Sequence, residues 1–268
     1  MGVSARGGSG DPVSRRRLLR LAGAAGAAVA AAACTPRPVA APPVTSSGSA
    51  AMTAPVVADP LPEHVPAAVA VPTAAAAGLV CRDGWGARAP RPGGIPHTIS
   101  RMTLHHTAVV LGDNRNITSR LRQHQAFHMD QHGWIDIAYH LGIDRDGNIF
   151  ELRTPEFAGD TATSYDPWGH FLVVCEGDFD QEAVTEDQLH GAALAFAWAA
   201  QTFGVSTETL AGHQDYASTS CPGANLQAHI VSGDLRRRVE DLIVAGGVDL
   251  QPLCGPDAAA VVAAIEAG

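Results

Sequence analysis

A change of composition near residue 79 decides how much of this 268-residue sequence can fold. Residues 35–78 consist mainly of Ala, Pro, Val, Ser and Thr, carry almost no charge, and show neither helical nor strand periodicity. A segment of this kind cannot bury enough apolar surface to fold alone, and its prolines favour extended backbone. We therefore expect residues 35–78 to be a disordered linker, followed by one folded core.

The first 34 residues are typical of a twin-arginine export signal. Arginines at positions 15–17 precede an apolar run rich in Ala and Leu, which ends in small residues before Cys34. A permanent membrane anchor is the less favoured alternative, because Arg20 interrupts the run and a span needs roughly 20 strongly apolar residues. Residues 31–34 also resemble the cleavage box of bacterial lipoproteins, although Ala31 stands where that box usually has Leu. We expect export to the cell envelope or the exterior, with lipidation of Cys34 and ordinary signal cleavage both open.

The charge balance argues against nucleic acid as a partner. The net charge is −9, the pI is near 5.7, and all 18 basic residues are arginine. Binding driven by the release of counterions from phosphates is not expected of such a chain. The absence of lysine from the whole sequence also excludes any mechanism that requires a lysine side chain.

Residues 79–245 mix strand and helix patterns without strict alternation. This predicts an α/β fold with a single mixed β-sheet flanked by helices. Residues 246–268 are expected to form a C-terminal extension. The predicted elements are a strand over residues 100–110, a helix over 116–131, a hairpin turning at Asp146-Gly147, a buried strand over 170–177, a helix from a Thr185/Gln188 capping box to Gly204, a short strand over 209–212, and a helix over 226–244.

His213 and Cys221 bracket a loop rich in Ser and Thr that ends in Cys-Pro-Gly. Imidazole nitrogens and thiolates suit zinc, and a catalytic zinc site takes about three protein ligands and keeps one position open. The pair His105 and His106, on a predicted strand, is the best donor of a third ligand. Taken alone, the spacing of His213 and Cys221 fits an idle loop thiol and a surface histidine better than it fits a metal site.

Five separated motifs, from about residue 81 to residue 223, together resemble one known family. In order they are RDGWGARAPR, LHHTA, FHMDQHGWIDIAYHLGIDRDGNIFELR, CEGDF and GHQDYASTSCPG. They resemble the zinc-dependent type 2 N-acetylmuramoyl-L-alanine amidases, a superfamily that includes the peptidoglycan recognition proteins. The resemblance implies the fold of that family, peptidoglycan or muropeptides as the partner, and hydrolysis of the amide bond between N-acetylmuramic acid and L-alanine.

The same resemblance assigns the residues of the site. It places the Zn²⁺ ligands at His105, His213 and Cys221, so that Cys221 needs no disulfide partner. Tyr139 matches a tyrosine that active members place beside the metal, where a phenol can donate a hydrogen bond to the oxyanion. Thr219 matches a position that carries Lys in phage enzymes and Thr in many peptidoglycan recognition proteins. Glu176 is a further candidate acid or base, although it equally fits an ordinary carboxylate at the end of a strand.

Several alternatives accompany this assignment. His106 is expected to be structural, because successive side chains on a strand point to opposite faces. His124 and His128 have the spacing of helical zinc proteases, but Gln125 replaces the glutamate that such enzymes use as a base. A non-catalytic peptidoglycan-binding module on the same fold is the competing function, since fold alone does not decide activity.

The remaining cysteines lie outside the predicted site. Cys175 stands among valines of a predicted strand, where a buried thiol is ordinary. Cys81 and Cys254 flank the folded region and could form a disulfide between its ends in an oxidising exterior. We expect the protein to be a monomer.

Overall fold

The computed structural model describes residues 73–268. The predicted export signal, Cys34 and residues 35–72 of the predicted linker lie outside this part of the chain. Within it, no helix is long and apolar enough to cross a lipid bilayer.

A seven-stranded sheet lies at the centre of the described structure, with the strand order β6-β2-β5-β3-β4-β1-β7. β3 and β4 are antiparallel, and every other pair of neighbours in this sheet is parallel. The prediction of a single mixed sheet is therefore confirmed. The strands are β1 (Ala75–Val80), β2 (Arg101–His106), β3 (Leu141–Ile143), β4 (Ile149–Glu151), β5 (His170–Cys175), β6 (Leu210–Gly212) and β7 (Val248–Leu253).

Helices cover both faces of the sheet, and the alternation of side chains along β5 shows the division. Phe171 and Val173 belong to the apolar cluster formed with α2 and α4, whereas Val174 belongs to the cluster formed with α1 and α5. All six side chains of β5 are buried, as predicted. The helices are α1 (Ile117–Asp130), α2 (Glu186–Phe203), α3 (Ala224–Val231), α4 (Asp234–Val244) and α5 (Pro256–Ala267).

The start of α2 agrees with the prediction only in part. The side chain of Thr185 accepts a hydrogen bond from the backbone N–H of Gln188 at 3.0 Å. The side chain of Gln188 does not return the bond, and the predicted capping box is wrong in that half. Its amide nitrogen instead donates to the carbonyls of Ile143 and Glu176, at the ends of β3 and β5. Buried carbonyls need donors, so this tertiary contact replaces the local one.

The helix predicted over residues 226–244 is two helices. Gly233 lies between α3 and α4 with φ of 72°, a left-handed conformation that glycine adopts without steric cost and that ends a helix. The apolar periodicity continues across the break, which is why the sequence pattern did not reveal it.

The C-terminal extension completes the sheet. β7 pairs with β1 in parallel from Ala75 opposite Val248 to Val80 opposite Leu253. Order therefore begins by Ala75, four residues before the expected start at Leu79. The pairing uses backbone groups, which the Ala- and Gly-rich composition of β1 does not prevent.

A disulfide between Cys81 and Cys254 ties the two ends of the folded part together. Their Cα atoms lie 5.0 Å apart, and the two residues are 173 positions apart in sequence. A cross-link that closes so long a loop restricts the unfolded chain, so we expect Cys254→Ser to lower the free energy of unfolding by about 2–5 kcal/mol. Urea unfolding of the variant and of the wild type, each with and without reductant, measures this. Reductant should lower the free energy of unfolding of the wild type only. Equal free energies of unfolding in all four samples would contradict the prediction.

Candidate metal centre

Strand pairing brings His105 and His213 together. β2 and β6 run in parallel with Leu104 opposite Gly212, so the residues that follow them stand side by side at the same end of the sheet. Their ring centroids lie 4.6 Å apart. Cys221, in the loop before α3, completes the group: one ligand atom from each of the three residues lies within 4.8 Å of the others. These three buried side chains could hold a metal ion.

The thiol of Cys221 faces the end of β2. Its Sγ lies 3.6 Å from Nδ1 of His105 and accepts a hydrogen bond from the backbone N–H of His106 at 3.3 Å. The backbone carbonyl of Cys221 accepts from the N–H of Gln214 at 2.8 Å, which closes the loop that the two ligand candidates bracket. The loop geometry therefore points both His213 and Cys221 at His105.

The protonation states of the three residues fit a metal site. Burial lowers the pKa of His105 well below its ordinary value, and the neighbouring His213 adds to the effect. Burial likewise lowers the pKa of His213 to about 4. Both rings are thus neutral near pH 7, as metal ligands must be. Burial raises the pKa of Cys221 to about 12, so the thiol keeps its proton in the metal-free protein. A bound metal would displace that proton and stabilise the thiolate. Two imidazoles and one thiolate form a donor set that zinc prefers.

A hydrogen-bond network next to β6 holds Gly212, the residue before His213, in place. Oδ2 of Asp215 accepts a hydrogen bond from the backbone N–H of Gly212 at 2.8 Å, and Gln227 donates to both oxygens of Asp215 at 3.1 and 3.2 Å. A Cβ atom at position 212 would overlap the side-chain oxygen of Gln227. Glycine at this position therefore lets α3 pack closely against the strand that carries His213.

A cleft of about 270 Å³ opens beside the three residues. Tyr139 and Thr219 both line it. The ring of Tyr139 lies 5.1 Å from that of His105, centroid to centroid. Within residues 73–268 the Tyr139 hydroxyl has no hydrogen-bond partner, and burial raises the pKa of this phenol well above its ordinary value. It is therefore a protonated donor, free to bind a group in the cleft.

Thr219 also serves its own loop. Its Oγ1 accepts a hydrogen bond from the backbone N–H of Cys221 at 3.2 Å. A hydroxyl can accept one bond and donate another, so this contact leaves the Thr219 proton available to the cleft.

Glu176 is not among the residues that line this cleft. Its side chain is fully buried at the end of β5, with Oε1 3.2 Å from Nδ1 of His124 and no hydrogen-bond partner for Oε2. His124 in turn lines a neighbouring pocket of about 320 Å³. This pocket shares Thr107, Phe127, His128 and Tyr139 with the cleft. The structure thus brings His105, His213, Cys221, Tyr139 and Thr219 together and places Glu176 behind them.

The other histidines of the motifs have separate surroundings. The ring of His106 packs against Phe179 and its Nδ1 accepts a hydrogen bond from the Phe179 backbone N–H at 3.3 Å, as expected of a structural side chain. Nδ1 of His128 accepts from the backbone N–H of Ala138 at 3.1 Å. In the described residues, neither His124 nor His128 belongs to a group that could hold a metal, so the spacing typical of helical zinc proteases has no metal site here.

Sequence analysis did not identify Thr163 and Tyr165, which lie in the loop between β4 and β5. The Thr163 hydroxyl lies 2.8 Å from Nε2 of His213, and the Tyr165 hydroxyl lies 3.4 Å from Nε2 of His105. Nothing in the sequence distinguishes this loop, because its pairing with the histidines depends on the fold.

Arg153 anchors both the segment before Tyr139 and the start of this loop. It is buried, and its guanidinium donates to the backbone carbonyls of Ile137 at 2.8 Å and Ala158 at 2.6 Å. It also donates to the carbonyl of Asp136 at 2.9 Å and pairs with the carboxylate of Asp160 at 2.6 Å. One planar side chain therefore holds two walls of the cleft.

Replacing Arg153 with lysine should lower the free energy of unfolding by about 2–4 kcal/mol, because an ammonium cannot reproduce the fork of donors and leaves buried carbonyls unpaired. Urea unfolding provides the measurement. The control is Arg236→Lys, at an exposed pair with Glu240 3.8 Å apart, where the change should stay within about 0.5 kcal/mol. Equal stabilities of the two variants would show that the Arg153 contacts do not hold the cleft.

The chain is similar to proteins of one known family. Residues 96–224 match the N-acetylmuramoyl-L-alanine amidase family. The chain is 30% identical to peptidoglycan-recognition protein SC2 of Drosophila melanogaster over 151 residues, which cover 55% of this chain and 82% of the relative. It is 32% identical to peptidoglycan-recognition protein LB of the same species over 171 residues, which cover 59% and 69% of the two chains.

A solved structure shares the fold. The crystal structure of peptidoglycan recognition protein LE in complex with tracheal cytotoxin, a monomeric diaminopimelic acid-type peptidoglycan, superposes with a TM-score of 0.54 at 27% identity. The match covers 61% of this chain and 98% of that chain. The similarity thus extends over nearly the whole of that recognition domain.

Proposed function

Because the chain belongs to the N-acetylmuramoyl-L-alanine amidase family, which its similarity to peptidoglycan-recognition proteins also supports, we propose that it is a zinc-dependent amidase. Its reaction is hydrolysis of the amide bond between N-acetylmuramic acid and L-alanine in peptidoglycan. The observation that carries the proposal is the convergence of His105, His213 and Cys221 on a cleft that also contains the free hydroxyl of Tyr139.

The three buried side chains would hold a zinc ion. A bound zinc ion supplies Lewis acidity for the amide carbonyl and for a water molecule near neutral pH. His105 and His213 would contribute neutral nitrogens, and Cys221 would contribute a thiolate whose charge offsets part of the charge of the metal. Three protein ligands leave room for substrate at the open side of the cleft.

Tyr139 and Thr219 act on the reacting amide. Addition of a water molecule to the carbonyl carbon makes it tetrahedral and leaves a negative charge on its oxygen, to which the Tyr139 phenol donates a hydrogen bond. A donor that is already protonated and held by packing needs no rearrangement at that moment. Thr219 supplies a second, neutral hydrogen bond. Collapse of the tetrahedral carbon breaks its bond to nitrogen. The L-alanine nitrogen takes up the protons that the water gives up and leaves as its ammonium form, and the lactyl group keeps the oxygen of the water as a carboxylate.

Export to an oxidising compartment is also part of the proposal. The disulfide between Cys81 and Cys254 supports it, because such bonds persist mainly outside the reducing cytosol. Anchoring through a lipid on Cys34 and a monomeric state stay predictions from the sequence.

The competing function is a binding module that recognises peptidoglycan without cleaving it, as the names of the recognition proteins allow. Incubating the zinc-loaded protein with a soluble muropeptide, and identifying the products by mass spectrometry, separates the two. The amidase releases a stem peptide with a free L-alanine amino group and a sugar that keeps its lactyl carboxylate. A muropeptide that binds in calorimetry but remains intact would instead favour the binding module.

A further inference from the structure

One loop reaches the Nε2 atoms of both histidines of the candidate metal centre. Thr163 and Tyr165 stand two residues apart in this loop, and both side chains are partly buried. Each hydroxyl contacts the same ring atom, Nε2, of a different histidine: Thr163 contacts His213 at 2.8 Å and Tyr165 contacts His105 at 3.4 Å. Each of the two histidines therefore has a hydroxyl of this loop at its Nε2 atom.

The opposite nitrogen of His105 faces the metal centre. Its Nδ1 lies 3.6 Å from Sγ of Cys221, whereas its Nε2 meets Tyr165. A neutral imidazole has one N–H donor and one lone pair, and a partner at one nitrogen decides where the proton resides. A hydroxyl that accepts the proton on Nε2 leaves the lone pair of Nδ1 free for a metal.

The hydroxyl of Thr163 has a second partner that fits an accepting role. Its Oγ1 lies 2.8 Å from Oγ1 of Thr161, so Thr163 can donate its own proton to Thr161 while it accepts one from His213. The ring of Tyr165 packs against His213 and Tyr216, with centroids 5.0 and 5.8 Å apart, which fixes the direction of its hydroxyl.

From these contacts we propose that Thr163 and Tyr165 are positioning residues for the metal. They hold His213 and His105 with the proton on Nε2, so that both rings present Nδ1 to the ion beside the thiolate of Cys221. The inference rests on the proposed zinc function and adds to it the residues that preset the ligands. Partners of this kind change metal affinity or activity by about 10- to 100-fold when removed.

The test compares zinc affinities by competition with a chromophoric chelator. Thr163→Val keeps the shape of the side chain and removes its hydroxyl, and Tyr165→Phe does the same at the second position. Each should weaken zinc binding by about tenfold or more. Thr163→Ser keeps the hydroxyl and should retain the affinity of the wild type. Tyr216→Phe, which removes a hydroxyl from the ring stacked on Tyr165, is the matched control and should also bind like the wild type.

A second readout does not depend on the metal or on activity. Long-range ¹H–¹⁵N spectra of the metal-free protein should show Nε2–H tautomers for His105 and His213, and Thr163→Val should lose this preference at His213 alone. Thermal unfolding in the presence of a chelator should give equal midpoints for the wild type and for Thr163→Val, which separates loss of preorganisation from loss of folding.

Two results overturn the inference while leaving the proposed function intact. Unchanged zinc affinity in both Thr163→Val and Tyr165→Phe would show that the hydroxyls do not preset the ligands. Tighter binding by Thr163→Val would show that Nε2 of His213 is the metal-binding atom and that the hydroxyl competes with the ion. A wild-type protein that binds no zinc would overturn the inference and the proposed function together.

Discussion

Replacing Cys221 with alanine should remove stoichiometric zinc and lower kcat/KM for muropeptide cleavage by at least about 10³-fold, since the metal contributes several kcal/mol to transition-state stabilisation. The thiolate is the single anionic ligand candidate of the site, next to two neutral imidazoles. Its loss leaves two ligands, fewer than the three protein ligands of a catalytic zinc centre. Metal analysis of the purified protein and initial rates on a soluble muropeptide measure the two effects.

The chain provides a matched control in Cys175, the other free cysteine of the described residues. Its thiol is buried in β5 among apolar side chains, and burial raises its pKa. Cys175→Ala should lose about 1 kcal/mol of stability through a small cavity while retaining zinc and activity. If both variants retained zinc, Cys221 would not be a ligand. If both lost it, the effect of Cys221→Ala would reflect damage to the fold.

Replacing Tyr139 with phenylalanine should lower kcat by about 10²- to 10³-fold, the usual effect of removing one donor to a developing oxyanion. Zinc content and KM should stay near the wild-type values, because the phenol is not a ligand and its bond strengthens only as charge develops. The ring itself, which packs beside His105 and His128, is kept. Steady-state kinetics together with metal analysis test this prediction.

Tyr216→Phe is again the control, since Tyr216 lies against Tyr165 and His170 and is not among the residues lining the cleft. Its kcat should remain within about threefold of the wild type, a difference of less than 1 kcal/mol in the barrier. A Tyr139→Phe variant with full activity would mean that the phenol only fills space in the cleft. A variant that lost its zinc would mean that Tyr139 acts through the metal site.

The fold could be predicted from the sequence wherever a local pattern determines the structure. Asp146-Gly147 gives the hairpin of β3 and β4, Thr185 and Gly204 delimit α2, and the apolar residues of β5 mark a buried strand. Each of these features depends on neighbouring residues, so the sequence shows them directly. The break at Gly233 and the role of Gln188 depend on tertiary packing, and neither could be inferred from periodicity.

In the site, too, residues that belong to a local motif could be predicted, and residues that depend on tertiary packing could not. The motifs LHHTA and GHQDYASTSCPG contain His105, His213 and Cys221, which the structure brings together on β2 and the loop after β6. Sequence reasoning also named Glu176, whose carboxylate the structure places beside His124 instead of in the cleft. Thr163 and Tyr165 could not be predicted from the sequence, because their contacts join residues 50 and 60 positions apart in the chain. Contacts over such separations are set by the topology of the sheet.

Zinc K-edge X-ray absorption of the purified, zinc-loaded protein tests the central claim most directly. Our account predicts one zinc per chain with a first shell of one sulfur at about 2.3 Å and three lighter atoms at about 2.0–2.1 Å, two of them with the outer-shell scattering of imidazole. The sulfur contribution should disappear in Cys221→Ala and persist in Cys175→Ala. A shell without sulfur, or a wild-type protein that binds no zinc, would contradict the assignment of His105, His213 and Cys221.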